Sequence, residues 1–324
     1  MTAQLSGAAA PAGKLPGCAV VARMLGGSPA GTAAHMRAWL LIEYPGPWPS
    51  DALELAIEEA FPAERRARLE ELRAHGLRPL LIRQPGRHTR EPNLAGRRVF
   101  VGGTSGPRGH WMESFRINEL QDLADLDLDA IVDGRGGIGK PYLGPMFLVC
   151  THGTKDMCCA LLGRPLAASL GATYPGRAWE VSHVGGDRWA GNLLVVPDGF
   201  LHGQLDPDEA HNVVKGALAG QVDPEHLRGR TAAETQWSQY AEIALRKHTG
   251  LRGIDDVVAV SEHPVETDLE SEARVVTVRA GQERYEVTIS RRAVIGRGPS
   301  RCNAMVAPGG YITENITLTT ASAE

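Results

Sequence analysis

Met146–Cys159 reads MFLVCTHGTKDMCC and Trp179–Asn192 reads WEVSHVGGDRWAGN. Cys150, Cys158 and Cys159 fall within ten residues of one another, with His152 beside them, and the second stretch brings His183. Pro145–Val149 is an apolar run of strand length, and Ala160–Leu170 spaces its apolar residues as a helix does, so the cysteine loop is predicted to join a strand to a helix. A helix N-terminus offers free N–H groups and the positive end of the dipole, which together with Lys155 favours thiolate at Cys158 and Cys159. Ala178–His183 reads as a second strand, closed by Gly185 and Gly186, a turn that lets backbone pass close to a bound group. Two loops at neighbouring strand ends would gather two thiolates, an imidazole and an oxygen, a four-donor set suited to iron-sulfur or zinc.

The segments CTHGTKDMCC and SHVGGDRWAGNLLVVPDG resemble the sucrase/ferredoxin-like family, as do AWLLIEYPGPW (Ala38–Trp48) and LLIRQPGR (Leu80–Arg87). The likeness spans roughly residues 18–230. It implies a thioredoxin-like 2Fe-2S ferredoxin domain and no glycosidase chemistry, with ligation by two cysteines separated by eight residues and then a His-x-x-x-His pair. Carried onto this chain, that pattern names Cys150, Cys159 and His183. Asp187 stands where the second histidine would be. A carboxylate is a harder and less covalent ligand than imidazole, so the fourth place stays open: Asp187 is first by position and Cys302 second by ligand softness, followed by Cys158 and His152.

The 324 residues carry a net charge of −4 and are 43% hydrophobic. There is no excess of basic charge for nucleic acid or an anionic membrane. Five cysteines at irregular spacing do not frame a secreted disulfide scaffold, and a reducing cytoplasm is expected. Residues 1–17 are expected to be a disordered start without a signal-peptide core. Two α/β halves follow: 18–132, without ligands, where Tyr44-Pro-Gly-Pro-Trp48 takes the place of the cysteine loop, and 143–250, the ferredoxin domain. Both repeat a strand, helix, strand, hairpin, helix order, which predicts tandem thioredoxin-like units. Residues 133–142, DGRGGIGKPY, are expected to form a flexible Gly-rich linker. They spell a phosphate loop, but Pro141 and a strand follow where a Ser or Thr and a helix are needed. The Arg-Gly-Arg run Arg228–Arg230 is expected on a solvated face, and Thr231–His248 on a helix. Residues 251–324 alternate polar and apolar residues, predicting a small antiparallel β appendage with a hairpin turn at Gly281-Gln282. Cys302 is expected in a loop, Gly298–Asn303, mobile enough to reach the centre.

The expected function is one-electron transfer by a 2Fe-2S protein with an unidentified redox partner protein. Two further classes stay open: a glutaredoxin-like thiol-disulfide protein, against which the missing C-x-x-C counts, and a zinc-binding interaction protein with the same ligands.

Overall fold

A computed structural model describes residues 17–90, 93–105, 109–265, 272–293, 298–302, 304–306 and 309–319. The expected disordered start lies outside the described residues except for Gly17. After α1 (Cys18–Met24), the first half comprises β1 (Ala38–Glu43), α2 (Ala52–Ala60), α3 (Ala63–Ala74), β2 (Leu77–Arg83), β3 (Arg97–Gly103), β4 (Trp111–Ile117) and α4 (Leu128–Val132). The short β5 (Lys140–Pro141) leads to the second half: β6 (Met146–Cys150), α5 (Met157–Thr173), β7 (Ala178–Val181), β8 (Leu193–Val196), β9 (Phe200–His202) and α6 (Pro207–Leu218). Then come β10 (Leu227–Arg230), α7 (Gln236–Thr249), β11 (Val257–Val265), β12 (Glu272–Ala280), β13 (Glu283–Ala293), β14 (Gly298–Arg301), β15 (Ala304–Val306) and β16 (Gly309–Thr319).

One mixed sheet of ten strands runs β10-β9-β8-β6-β7-β2-β1-β3-β4-β5. In the first half the order is β2-β1-β3-β4 and in the second β7-β6-β8-β9, each with a parallel first pair and antiparallel pairs after it. The halves join where β2 and β7 pair antiparallel through their last residues, Ile82 with Val181 and Arg83 with Glu180. The C-terminal ends of the strands therefore meet at the joint, which is where open α/β sheets bind ligands.

Side-chain alternation divides the core between the faces. On β6, Met146, Leu148 and Cys150 join Trp39, Leu41, Ile82 and Trp179 on one face, and Phe147 and Val149 pack under α5 and α6 on the other. The first half buries its second face beneath α2, α3 and α4. Asp156 caps α5 by accepting the Cys158 N–H at 2.8 Å, and Asp206 with Glu209 forms a capping box on α6.

Two expectations change. The 133–142 segment is not a free linker: the N–H groups of Gly137, Ile138 and Gly139 donate to the buried Glu113 carboxylate at 3.0, 2.8 and 3.0 Å, and β5 pairs with β4. A carboxylate from the protein itself takes the donors that a phosphate would need. Arg228 and Arg230 are buried, not solvated. They lie on β10 beneath α7, and Arg230 meets Glu242 and Asp255 at 3.3 Å each. Helix α7 turns its apolar face, Trp237, Ala241 and Leu245, toward the C-terminal sheet β11-β12-β13-β16. The Gly281 turn joins β12 to β13 at φ 61°, a conformation glycine adopts without strain.

Candidate metal centre

Cys150 closes β6, Cys159 lies in the first turn of α5, and His183 follows β7 by two residues. Helix α5 reaches β6 through Gly163, where a Cβ would collide with the Cys150 carbonyl oxygen. That close approach brings Cys159 over the strand end. The two sulfur atoms and a His183 nitrogen lie within 4.8 Å of one another. Asp187, in the 3-10 turn Asp187–Trp189, sets Oδ1 3.5 Å from the Cys159 sulfur and 3.2 Å from His183 Nδ1. The latter contact is not aligned as a hydrogen bond, so His183 Nδ1 is a buried nitrogen without a hydrogen-bond partner. Buried polar atoms normally have partners, and His183 Nδ1, set among two thiols and a carboxylate without an aligned partner, is a nitrogen that a metal would engage in place of its proton.

The electrostatics separate the two thiols. Hydrogen bonding from Cys159, against the penalty of burial, and then from His183 and the Val184 N–H holds the Cys150 thiol well below its ordinary pKa. Cys159 is pushed up by hydrogen bonding to Cys150, by burial and by Asp187. Burial would lower the pKa of His183, but Asp187 and Cys150 outweigh it and raise it to about 9. Burial likewise raises the pKa of Asp187, and His183 and Cys159 more than reverse that. Without a metal, these shifts favour thiolate at Cys150, neutral thiol at Cys159, imidazolium at His183 and carboxylate at Asp187.

Behind it stands Arg228, only 1% exposed. Its Nη1 donates to Gly185 O and Asn192 Oδ1 at 2.8 Å each, Nη2 to Thr32 O at 2.6 Å, and Nε to Thr32 Oγ1 at 3.1 Å. Burial brings its pKa down to about 9, opposed by the charges of Cys150, Cys159 and Asp187. Gly186, at φ 75°, leaves room for this guanidinium, which a Cβ there would strike. Arg228 therefore fixes the His183–Asp187 turn and counters the charge of the thiols. Sequence reasoning alone misses it. The available signal is two arginines two residues apart in a short segment before a helix, each of which demands acceptors if the segment is buried.

The remaining fourth-ligand candidates are placed elsewhere. His152 donates from Nε2 to Pro49 O, 2.9 Å away, and stacks edgewise on Trp48 at 5.9 Å, so it braces the cysteine loop against the Tyr44–Trp48 loop of the first half. Thr154 Oγ1 donates to Trp48 O at 2.6 Å in the same contact. Cys158 and Cys302 join a separate group with Cys18 and Asp156.

A model of the sucrase/ferredoxin-like family matches residues 29–229, more than half of the chain. The chain belongs to the sucrase/ferredoxin-like family. All of Cys150, Cys159, His183 and Asp187 fall within the matched span, as does Arg228, whereas Cys18, Cys302 and the C-terminal sheet fall outside it. No curated protein and no solved structure matches the chain. Among the described residues no helix is long and apolar enough to cross a membrane.

Proposed function

We propose that this member of the sucrase/ferredoxin-like family is an electron-transfer protein whose 2Fe-2S group is held by Cys150, Cys159, His183 and Asp187. The observation that carries the proposal is the convergence of two thiols and an imidazole, from three separate elements, to within 4.8 Å, with the Asp187 carboxylate against them. The donor chemistry fits: thiolates and imidazole are established iron-sulfur ligands, and His183 Nδ1, buried without an aligned hydrogen-bond partner, would give up its proton to ligate. When bound, a 2Fe-2S group supplies a one-electron carrier. The chain's own residues then have separate tasks. Cys150 and Cys159, each 1% exposed, bind inside the core and exclude water. Arg228 counters their negative charge, and the side chain of His183, 25% exposed, faces the surface from which a redox partner protein would be met. The repeated strand order supports reading both halves as thioredoxin-like units, the first without ligands. Buried free thiols suit a reducing cytoplasm.

A single zinc ion is the second reading, favoured by the compactness of the set, since three donors within 4.8 Å fit one tetrahedral ion. Burial of both sulfurs counts against a thiol-disulfide role, because exchange needs access to the sulfur. The test is anaerobic purification, iron and sulfide quantification, and low-temperature EPR of the dithionite-reduced protein. A reducible 2Fe-2S signal, lost in Cys150→Ser and altered in Asp187→His, is expected. Protein that takes up only zinc after anaerobic reconstitution with iron and sulfide would overturn electron transfer.

A further inference from the structure

A second set of donors sits one residue away on α5. Cys18 opens α1, Cys158 lies in the first turn of α5, Cys302 lies between β14 and β15, and Asp156 caps α5. Chain separations of 138 and 146 residues put this set beyond local geometry. The Cys158 and Cys302 sulfurs are 3.5 Å apart and those of Cys302 and Cys18 are 3.7 Å apart. Asp156 Oδ1 lies 3.3 Å from the Cys302 sulfur and 3.8 Å from that of Cys18, and all four donor atoms are within 4.8 Å of one another.

Those lengths decide the chemistry. A zinc ion at about 2.3 Å from sulfur and roughly 2.0–2.2 Å from oxygen makes tetrahedral edges of about 3.8 Å between sulfurs and about 3.5 Å between sulfur and oxygen. A disulfide would need the sulfurs at about 2.05 Å and would leave the third thiol without a partner. Backbone packing is also fitted to the group. A Cβ on Gly17 would stand 2.5 Å from the Cys158 sulfur, so only glycine admits the chain there. Asp156 accepts the N–H of Cys158 through Oδ1 at 2.8 Å and of Cys302 through Oδ2 at 2.9 Å, which orients the carboxylate and leaves lone pairs free. The N-terminus of the 17-residue α5 and the nearby Arg188 offset negative charge.

We infer that Cys18, Cys158, Cys302 and Asp156 form a second, structural zinc site, which ties α1 and the β14–β15 hairpin to the start of α5. Three soft thiolates and one carboxylate select a borderline-soft divalent ion. The site shares no ligand with the centre at Cys150, and its zinc occupancy is tested separately from the electron-transfer reading.

The test counts zinc in full-length protein carrying Cys150→Ser and Cys159→Ser, purified anaerobically with zinc present, so that the first centre contributes nothing. One equivalent of zinc is expected, and it should be lost when Cys302→Ser is added. Exposed Cys302 makes that addition a mild one for folding. In the parent protein, zinc should slow alkylation of Cys18, Cys158 and Cys302 by about tenfold or more, mapped by peptide mass spectrometry. Two results would overturn the assignment: alkylation at the same rate with and without zinc, or a Cys158–Cys302 disulfide that forms in the presence of zinc.

Discussion

Replacing Arg228 with methionine tests whether a buried cation organises the candidate centre. The guanidinium is fully buried, and its pKa falls from 12.5 to about 9. A pKa depressed by that much costs the charged form about 5 kcal/mol at neutral pH. Against that stand four hydrogen bonds from a charged donor, to Gly185 O, Asn192 Oδ1, Thr32 O and Thr32 Oγ1. At about 1.5–3 kcal/mol each they return roughly 6–12 kcal/mol. Arg228 therefore stabilises the fold on balance, and Arg228→Met is expected to lower unfolding stability by about 2–4 kcal/mol, mostly from acceptors left unsatisfied in the core. Urea denaturation of metal-free, reduced protein near neutral pH measures it. Arg228→Lys should recover part of the loss, since an ammonium keeps the charge but cannot span Gly185, Asn192 and Thr32 together. Methionine within about 1 kcal/mol of the parent would refute the reasoning, because the acceptors would then be satisfied without the guanidinium.

Two more outcomes follow from buried groups elsewhere. Burial holds His202 neutral, with its pKa brought down to about 4. Its contribution to stability is complete above the unfolded value near 6.5 and is lost as pH falls through about 4, at up to about 1.4 kcal/mol per pH unit and about 3 kcal/mol in all. Urea midpoints between about pH 7 and pH 4 should fall less steeply for His202→Leu than for the parent, and parallel slopes would contradict this. Gly163→Ala drives a methyl into the Cys150 carbonyl where α5 crosses β6. It should cost about 1–3 kcal/mol and, on the 2Fe-2S proposal, reduce the iron taken up in anaerobic reconstitution as Cys159 is pushed from Cys150. Normal iron content in a folded Gly163→Ala protein would show that the helix can shift without loss of the centre.

The first donor set is legible in the sequence because strand, loop and helix are consecutive there. MFLVC is an unbroken apolar run of strand length, buried throughout, and His183 follows the next strand beside it. The β appendage is legible for the same reason, since period-two alternation and the Gly281 turn are local signals. What escapes are contacts made across the chain. Nothing near Cys18 or Cys302 points to Asp156, and Arg228 looks like surface charge because its acceptors, Thr32, Gly185 and Asn192, lie 196, 43 and 36 residues away. The glycine-rich 133–142 run looks loose because Glu113, its anchor, sits on another strand.

Cys158 and Cys159 show how neighbouring residues serve different ends. Successive residues on a helix turn by about 100°, so two adjacent thiols cannot face one metal alike. Here the turn sends Cys159 toward Cys150 and Cys158 toward Cys18 and Cys302. Asp156 fixes the rotation by capping the helix through the Cys158 N–H while holding the Cys302 N–H with its other oxygen. Moving the β14–β15 hairpin must therefore strain the cap, and through it the first turn of α5, on which Cys159 rides. Rigidity at the second site is thus one peptide unit from the first. A loss of zinc from Cys18, Cys158 and Cys302 should reach the Cys150 centre as added disorder at Cys159, while the β6 and His183 sides of that centre, held by the sheet and by Arg228, stay in place.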